Sequence, residues 1–415
     1  MIFYFRNILI LILVAGCFYS CNKESGIQDS SGIKLMKVYE DEGVEAMVDM
    51  IPGDGVLLIV YRNENDVYRF KLVNNNGEEI WNKDFNLIYS TVSSPYMILS
   101  NVIHEENQVF TLFYSTGLIR INYNGDVVFN DPEFTGLNDT YRIYNASLNT
   151  AGNYLVCGSA NISGSRAFFA EIDREGGYIF RKFYFVNVNG QNVFSDVVQN
   201  ADGSYTVGGS FVSYAPNSNQ VAFLVTYDSE GNQIKSKTIS PFQNINLEGA
   251  LTDNFDNLGK KLYYVGNGRY IYVMNVLYGI NGKFPSLILL ADTSGAILNA
   301  RRMDLNTFNL CGCTGTEFCK GIVKNPNGGY TCVINSSIEN QIILNIIPMN
   351  YTKPQYSYLV DFDEAGNITN TYFPDRNYAN QFTSICILSD GRKAIGGISQ
   401  SFGNTFKLTL LIEGK

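Results

Sequence analysis

Residues 193–213 read VFSDVVQNADGSYTVGGSFVS, and residues 221–240 read VAFLVTYDSEGNQIKSKTIS. Together they spell four antiparallel strands. Val193–Gln199 is the first. Asn200-Ala201-Asp202-Gly203 then turns the chain, because Asp-Gly tolerates the positive φ of a tight hairpin. Ser204–Ser210 is the second strand, with Tyr205 and Val207 alternating against Ser204 and Thr206. A polar loop, Ser213–Gln220, leads into Val221–Tyr227. That run is almost unbroken in apolar residues, as in a strand covered on both faces. Asp228-Ser229-Glu230-Gly231-Asn232 turns again, with a left-handed residue at Gly231 or Asn232. Gln233–Ile239 is polar with two lysines, which suits an exposed outer edge.

The rest of the chain reads as degenerate copies of this unit at a period of about 50–60 residues, within the range of repeat architectures. The first strands of the other copies are expected at Gly43–Met50, Tyr96–Ile103, Tyr144–Leu148, Lys261–Gly266, Cys319–Lys324 and Phe382–Leu388. Outer turns are expected at Asn74–Gly77, Asn124–Asp126, Asp173–Gly177, Asp292–Gly295 and Asp363–Asn367. His104–Asn107 reads as an inner turn, Asn244–Gly259 as an insertion and Gln341–Gln355 as a long connection. The seventh copy stops after its third strand, Phe406–Ile412. The segment Gly32–Tyr39, GIKLMKVY, resembles the missing piece, NQIKSKTIS in the quoted unit. It is predicted to pair beside Phe406–Ile412 and to bury Ile33, Leu35 and Val38. Such pairing removes two open sheet edges. The predicted fold is all-β: a single β-propeller over residues 33–415, seven four-stranded blades closed by the N-terminal strand.

The chain has 415 residues, with 28 Tyr, 27 Phe and 38 Gly, a strand-and-turn composition. Its net charge is −9 and it holds no run of Lys or Arg. Nucleic acid is therefore not an expected partner, because phosphate binding needs clustered positive charge. A single histidine, His104, argues against acid–base and metal chemistry.

The N-terminus is distinctive. Ile8–Gly16, ILILILVAG, is a nine-residue apolar core behind Arg6. It falls far short of the roughly 20 residues that span a bilayer, and reads as a signal peptide over residues 1–20. Cys17 follows in VAGC and Cys21 in FYSC, both similar to a bacterial lipobox. Cys21-Asn22-Lys23-Glu24-Ser25 resembles the SCNK(D/E) start of Bacteroidota-type lipoproteins, and DGSYTVGGS…FLVTYDSEGNQIKSKT resembles the propeller repeats of secreted and lipid-anchored bacterial proteins. The resemblance implies lipid attachment at Cys21, with Cys17 the alternative. It implies an outer-membrane location on the cell surface or the periplasmic face. Residues 21–32 are polar and rich in Ser and Gly, a tether. The resemblance speaks for architecture and says little of activity, since propellers host enzymes, binders and scaffolds alike.

Candidate sites are few. Cys311, Cys313, Cys319 and Cys332 cluster, but C-x-C-x5-C-x12-C is not a zinc spacing. In an oxidising compartment the expected use is a disulfide, Cys319 with Cys311 or Cys313. Cys157 and Cys386 sit in apolar strands as core thiols. The turns at Asp173, Asp228, Asp292 and Asp363 lack the alternating carboxylates of a calcium loop and read as hairpins. No GxSxG, HExxH or phosphate loop occurs, so neither a catalytic residue nor a cofactor or metal is expected. Tyr96, Tyr141, Tyr144, Tyr214, Tyr351, Tyr356 and Tyr378 fall in or near connections, where aromatics grip a protein or stack on a glycan or plug gaps between blades. The expected function is a non-catalytic binding or scaffold module of the cell envelope, for a protein or glycan partner. The alternative is a polysaccharide hydrolase or lyase on the same scaffold. Carboxylates at one end of the channel would favour the enzyme, and an aromatic or apolar patch the binder.

Overall fold

Seven four-stranded antiparallel sheets succeed one another around an axis in the computed structural model, a seven-bladed β-propeller. It describes residues 28–29, 33–39, 44–47, 55–62, 67–85, 99–105, 107–114, 117–131, 141–162, 164–186, 190–213, 220–239, 259–275, 286–303, 314–339, 355–373, 379–400 and 406–414. The chain enters through β1 (Gln28–Asp29) and β2 (Ile33–Val38). Blade 1 is β3 (Val44–Met47), β4 (Val56–Arg62), β5 (Val67–Val73) and β6 (Glu79–Phe85). Blade 2 is β7 (Leu99–Glu105), β8 (Val109–Tyr114), β9 (Gly117–Asn122) and β10 (Val127–Asp131). Blade 3 is β11 (Tyr141–Leu148), β12 (Tyr154–Asn161), β13 (Ser165–Ile172) and β14 (Tyr178–Tyr184). Blade 4 is β15 (Gly190–Gln199), β16 (Tyr205–Ser213), β17 (Gln220–Tyr227) and β18 (Gln233–Ile239). Blade 5 is β19 (Gly259–Gly266), β20 (Arg269–Asn275), β21 (Ser286–Asp292) and β22 (Ile297–Met303). Blade 6 is β23 (Thr314–Lys324), β24 (Tyr330–Glu339), β25 (Gln355–Phe362) and β26 (Ile368–Phe373). Blade 7 is β27 (Ala379–Ile387), β28 (Lys393–Gln400), β29 (Phe406–Glu413) and, from the other end of the chain, β2.

First strands of neighbouring blades pack on one another, so they lie nearest the axis. Fourth strands alternate exposed and half-buried residues and form the rim. The core is divided by seam. One apolar cluster fills the gap between each pair of neighbouring blades, for example Leu155, Phe169, Phe194 and Phe223 between blades 3 and 4.

The outer hairpins share one chemistry. Asp228 Oδ1 accepts the N–H of Glu230 at 3.0 Å and of Asn232 at 2.7 Å. Asn74, Asn122, Asp173, Asp292 and Asp363 repeat this pair of bonds. Gly231 supplies the left-handed residue at φ 75°. These side-chain oxygens serve their own turns, as the hairpin reading of the sequence requires.

The ring closes as predicted. β2 runs antiparallel to β29, with Leu35 opposite Ile412 and Lys37 opposite Leu410. Tyr39 Oη donates to Gly77 O of blade 1 at 2.9 Å. Covalently continuous seams use the same latch: Lys83 Nζ donates to Gly125 O at 3.1 Å, and Asn299 Nδ2 to Ala365 O at 2.7 Å. β2 also carries the bulge found where the other outer strands begin. From Leu35 onward the strand alternates regularly, half-buried at 35, 37 and 39 and exposed at 36 and 38. Leu35 and Tyr39 pack on the seam between blades 7 and 1, whereas Val38, predicted to be buried, is 43 % exposed. The side chain of Ile33 lies outside the described residues. Within the stretch read as tether, Gln28 and Asp29 add a short parallel fifth strand to β26. His104, read as a turn residue, lies in β7 instead, with Tyr123 Oη at 2.5 Å from its Nε2. The turn starts later because Gln108 takes the positive φ of 60°.

Candidate functional site

Two regions hold the unusual chemistry. The first encircles the axis. Every first strand carries one extra residue at the same place, for example between Ile143 and Asn145, Phe194 and Asp196, and Cys319 and Gly321. A bulge re-aims the side chains beside it. Here it turns the following residue toward the next blade. Asn101 Nδ2 donates to Asn145 Oδ1, and Asn145 Nδ2 to Asp196 Oδ1 at 2.6 Å. Asp196 Oδ2 accepts the N–H of Leu262 at 2.6 Å, and Lys261 Nζ lies 3.5 Å from Oδ1. One belt therefore ties blades 2, 3, 4 and 5. Asp196 is fully buried. Burial pushes its carboxyl pKa up, and Lys261 with the backbone N–H groups pulls it back. Between blades 6 and 7 the belt gives way to backbone contact: a Cβ on Gly321 would lie 3.1 Å from Ser384 Cα. Lys320, in the bulge itself, is half-buried, and burial lowers its ammonium pKa.

The other buried carboxylates act in the same way. Glu105 accepts from Tyr154 Oη at 2.5 Å, from Thr111 and from Arg174, which joins blades 2 and 3. Glu171 accepts from Asn149 at 2.8 Å, Asn153 at 2.7 Å and Tyr205 at 2.8 Å, joining blades 3 and 4. Burial, and then the bond to Glu171, pushes the Tyr205 phenol pKa up to about 12. Each carboxylate already has its donors, most of them from a neighbouring blade. The arrangement fixes blade register and leaves each group satisfied.

The second region is the rim of blade 3. An exposed aliphatic residue at the start of an outer strand belongs to the repeat: Ile80, Val128, Ile179, Ile234 and Leu298 are each the extra residue of an outer bulge. Blade 3 adds more. Phe183 is 36 %, Phe185 46 % and Val186 36 % exposed, on and just beyond β14. The Arg181 guanidinium lies 5.7 Å from the Phe183 ring centroid, 5.6 Å from that of Tyr141 and 5.0 Å from that of Tyr178. Arg166 lies 5.8 Å from the centroid of Phe185. The result is an arginine–aromatic patch on a strand that no described segment pairs on its outer side.

Of the tyrosines proposed to grip a partner, Tyr141 is buried. It is not a surface aromatic but the underlayer of this patch, edge-on to Phe168 at 5.4 Å and 6.1 Å from Phe183. Tyr144 is the half-buried bulge residue of β11. Tyr96, Tyr214, Tyr351 and Tyr378 lie outside the described residues, as does the side chain of Tyr356. Cys17, Cys21, Cys311 and Cys313 lie outside them too. Cys319, expected to be cross-linked to Cys311 or Cys313, carries a free thiol in the core between blades 5 and 6, in contact with Gly321 O at 3.6 Å. Its strand turns it into that seam. Cys157 and Cys386 are buried in seams as well. Phe183, Phe185, Arg166 and Arg181 were not singled out from the sequence. The signal was there: the outer strand of blade 3 and its continuation read YIFRKFYFV where blade 4 has QIKSKTI.

No protein-family model matches this sequence, and no curated protein does. Among solved structures the chain is similar to the WD40 domain of Neurospora crassa Pan2, with 8 % identity, a TM-score of 0.51, and coverage of 94 % of this chain and 97 % of that one. A Bacteroides caccae protein of unknown function aligns at 14 % identity and a TM-score of 0.41, over 80 % of this chain and 94 % of that one. Drosophila Plexin A, solved in complex with Semaphorin 1b, aligns at 9 % identity and a TM-score of 0.48, over 94 % and 88 %. At these identities the similarity to the WD40 domain speaks for the fold alone: a seven-bladed β-propeller.

Proposed function

We propose that this chain is a non-catalytic binding scaffold of the bacterial cell envelope, held to the outer membrane by lipid at Cys21, or else Cys17. Its partner is a protein gripped through the rim of blade 3. The observation that carries the reading is the patch of Phe183, Phe185 and Val186 interleaved with Arg166 and Arg181. Arginine and aromatic residues on a rigid support make up the usual energetic centre of an interface. The lipobox-like cysteines and the short apolar leader support the anchor. The alternative, a polysaccharide hydrolase or lyase, has no specific observation in its favour. The described buried carboxylates Glu105, Glu171 and Asp196 each hold bonds that position blades.

The anchor is tested by intact mass of the mature protein, with a diacyl or triacyl mass expected on a chain that starts at Cys21. The patch is tested by a photo-crosslinking residue at position 183, with position 234 on the rim of blade 4 as control. A discrete envelope protein cross-linked from 183 and not from 234 is expected. Equal labelling from both positions, or none, ends the binding proposal.

A further inference from the structure

Resting on that reading, we infer that the outer edge of blade 3 takes an extended, acidic and apolar segment of a partner protein as a fifth strand. An edge strand offers alternate N–H and C=O groups outward, a template for strand addition. This fold already uses such addition on its rim twice. β2 completes blade 7, and Gln28–Asp29 pairs with β26 of blade 6. The blade 3 edge is open among the described residues and its side chains point to a partner chemistry. Arg181, Phe183 and Phe185 alternate along one face. Residues 178–186 hold Arg181 and Lys182 and no carboxylate, on a chain whose net charge is −9. A strand laid antiparallel to β14 would meet Phe185, Phe183 and Arg181 in turn. It therefore fits best with two apolar residues followed by an acid on that face.

A second copy of this chain is the poorer occupant. Two β14 edges would bring Arg181 and Lys182 of each against the other, and like charges across a strand pair destabilise it. Position on the ring agrees with an external partner. Cys21 is seven residues before Gln28, a reach of at most about 25 Å. An anchor there keeps the rim of blade 6 near the membrane. Blade 3 is three blades away in a ring of seven, on nearly the opposite side.

The test is hydrogen exchange and titration of the mature protein with a capped heptapeptide, TVTVTET. Controls are TVTVTKT and a TVTVTET whose alternate backbone nitrogens are methylated. The expected result is at least tenfold slower exchange confined to amides of residues 178–186, and at least tenfold weaker binding of both controls. Arg181→Glu should invert the preference between the Glu and Lys peptides. Phe185→Asp, a second variant at an exposed position, should abolish binding of TVTVTET. Protection on another rim, equal binding of the methylated peptide, self-association through residues 178–186 in sedimentation, or displacement of the peptide by polygalacturonate would each overturn the inference. Failure of the peptide while position 183 still cross-links one envelope protein removes the strand mode and leaves the binding reading standing. Failure of both removes both.

Discussion

The axis and the rim of this propeller invert the usual placing of side chains. Near the axis, Asn101, Asn145 and Asp196 turn polar groups inward and bond them blade to blade. On the rim of blade 3, Phe183, Phe185 and Val186 turn apolar groups outward. Each inversion has a cost, and the costs differ in kind. A buried polar group must find a partner within the fold. An exposed aromatic costs the fold little and gains only when something covers it. The axis belt therefore reads as register-setting structure, and the rim is the surface proposed for a partner.

The largest expected effect comes from the one rim strand that is itself structural. A chain starting after residue 39 loses β2, the packing of Leu35 and Tyr39, and the latch to Gly77. Its urea unfolding should show a loss of about 4–6 kcal/mol, from apolar area and hydrogen bonds together. A loss near zero would mean that closure contributes nothing and that rim and axis differ less than stated.

Next is the belt. Asp196→Ala strands the donors of Asn145 and Leu262 and leaves Lys261 without this partner. A loss of about 3 kcal/mol is expected in the same measurement, given about 1–3 kcal/mol for each stranded buried group. A loss below about 1 kcal/mol would move the belt out of the structural class.

The pH dependence sharpens the same point. The folded-state pKa of Asp196 is raised above the ordinary 3.8. Its contribution to stability is complete below that value and is lost as pH rises through the folded pKa. Asp202, Asp228 and Asp292 behave oppositely. The hydroxyl of Ser204, the N–H of Asn232 and the hydroxyl of Ser294, respectively, hold their carboxyls below the usual range. Their contribution is present above the ordinary value and is lost as pH falls through their folded pKa values. Asp196→Asn should therefore remove the decline in urea midpoint that begins near pH 3.8 and continues upward. It should leave the acid-side loss from the turns intact. Identical profiles for the two proteins would contradict the buried, uphill titration of Asp196.

The smallest stability effect belongs to the rim. Phe185→Ser should cost only about 1 kcal/mol, since about half of that ring is already exposed, while abolishing cross-linking from position 183. A cost near that of Asp196→Ala would place this ring in the core and break the comparison.

Much of the architecture was legible because its signals are local. Asp228 with Gly231, or Asp292 with Gly295, states a turn within five residues. The incomplete seventh copy and the orphan segment GIKLMKVY stated the closure, since an open edge needs a strand. The site was less legible. Tyr141 stands next to a connection, and only the fold shows that it points under Phe183 and Arg181. Val38 was expected inside on its apolarity, but it stands three residues from Leu35, and the regular alternation of β2 beyond its bulge turns it out. The aromatic outer strand of blade 3 was visible as composition, but the meaning of that composition depends on the strand being an edge.

By itself, then, the order of residues determined the strands, the hairpins, the number of blades and the use of the N-terminus to complete the ring. Those follow from short-range backbone preferences and from hydrophobic alternation. The folded ring decided which polar side chains meet across a seam and which aromatic residues face water. Those outcomes depend on partners some fifty residues away along the chain, as Asn145 and Asp196 are, and on an extra residue at one shared place in each first strand. Alternation names the face of a strand. It does not name the distance from the axis, and a bulge reverses the face without any mark in the local pattern.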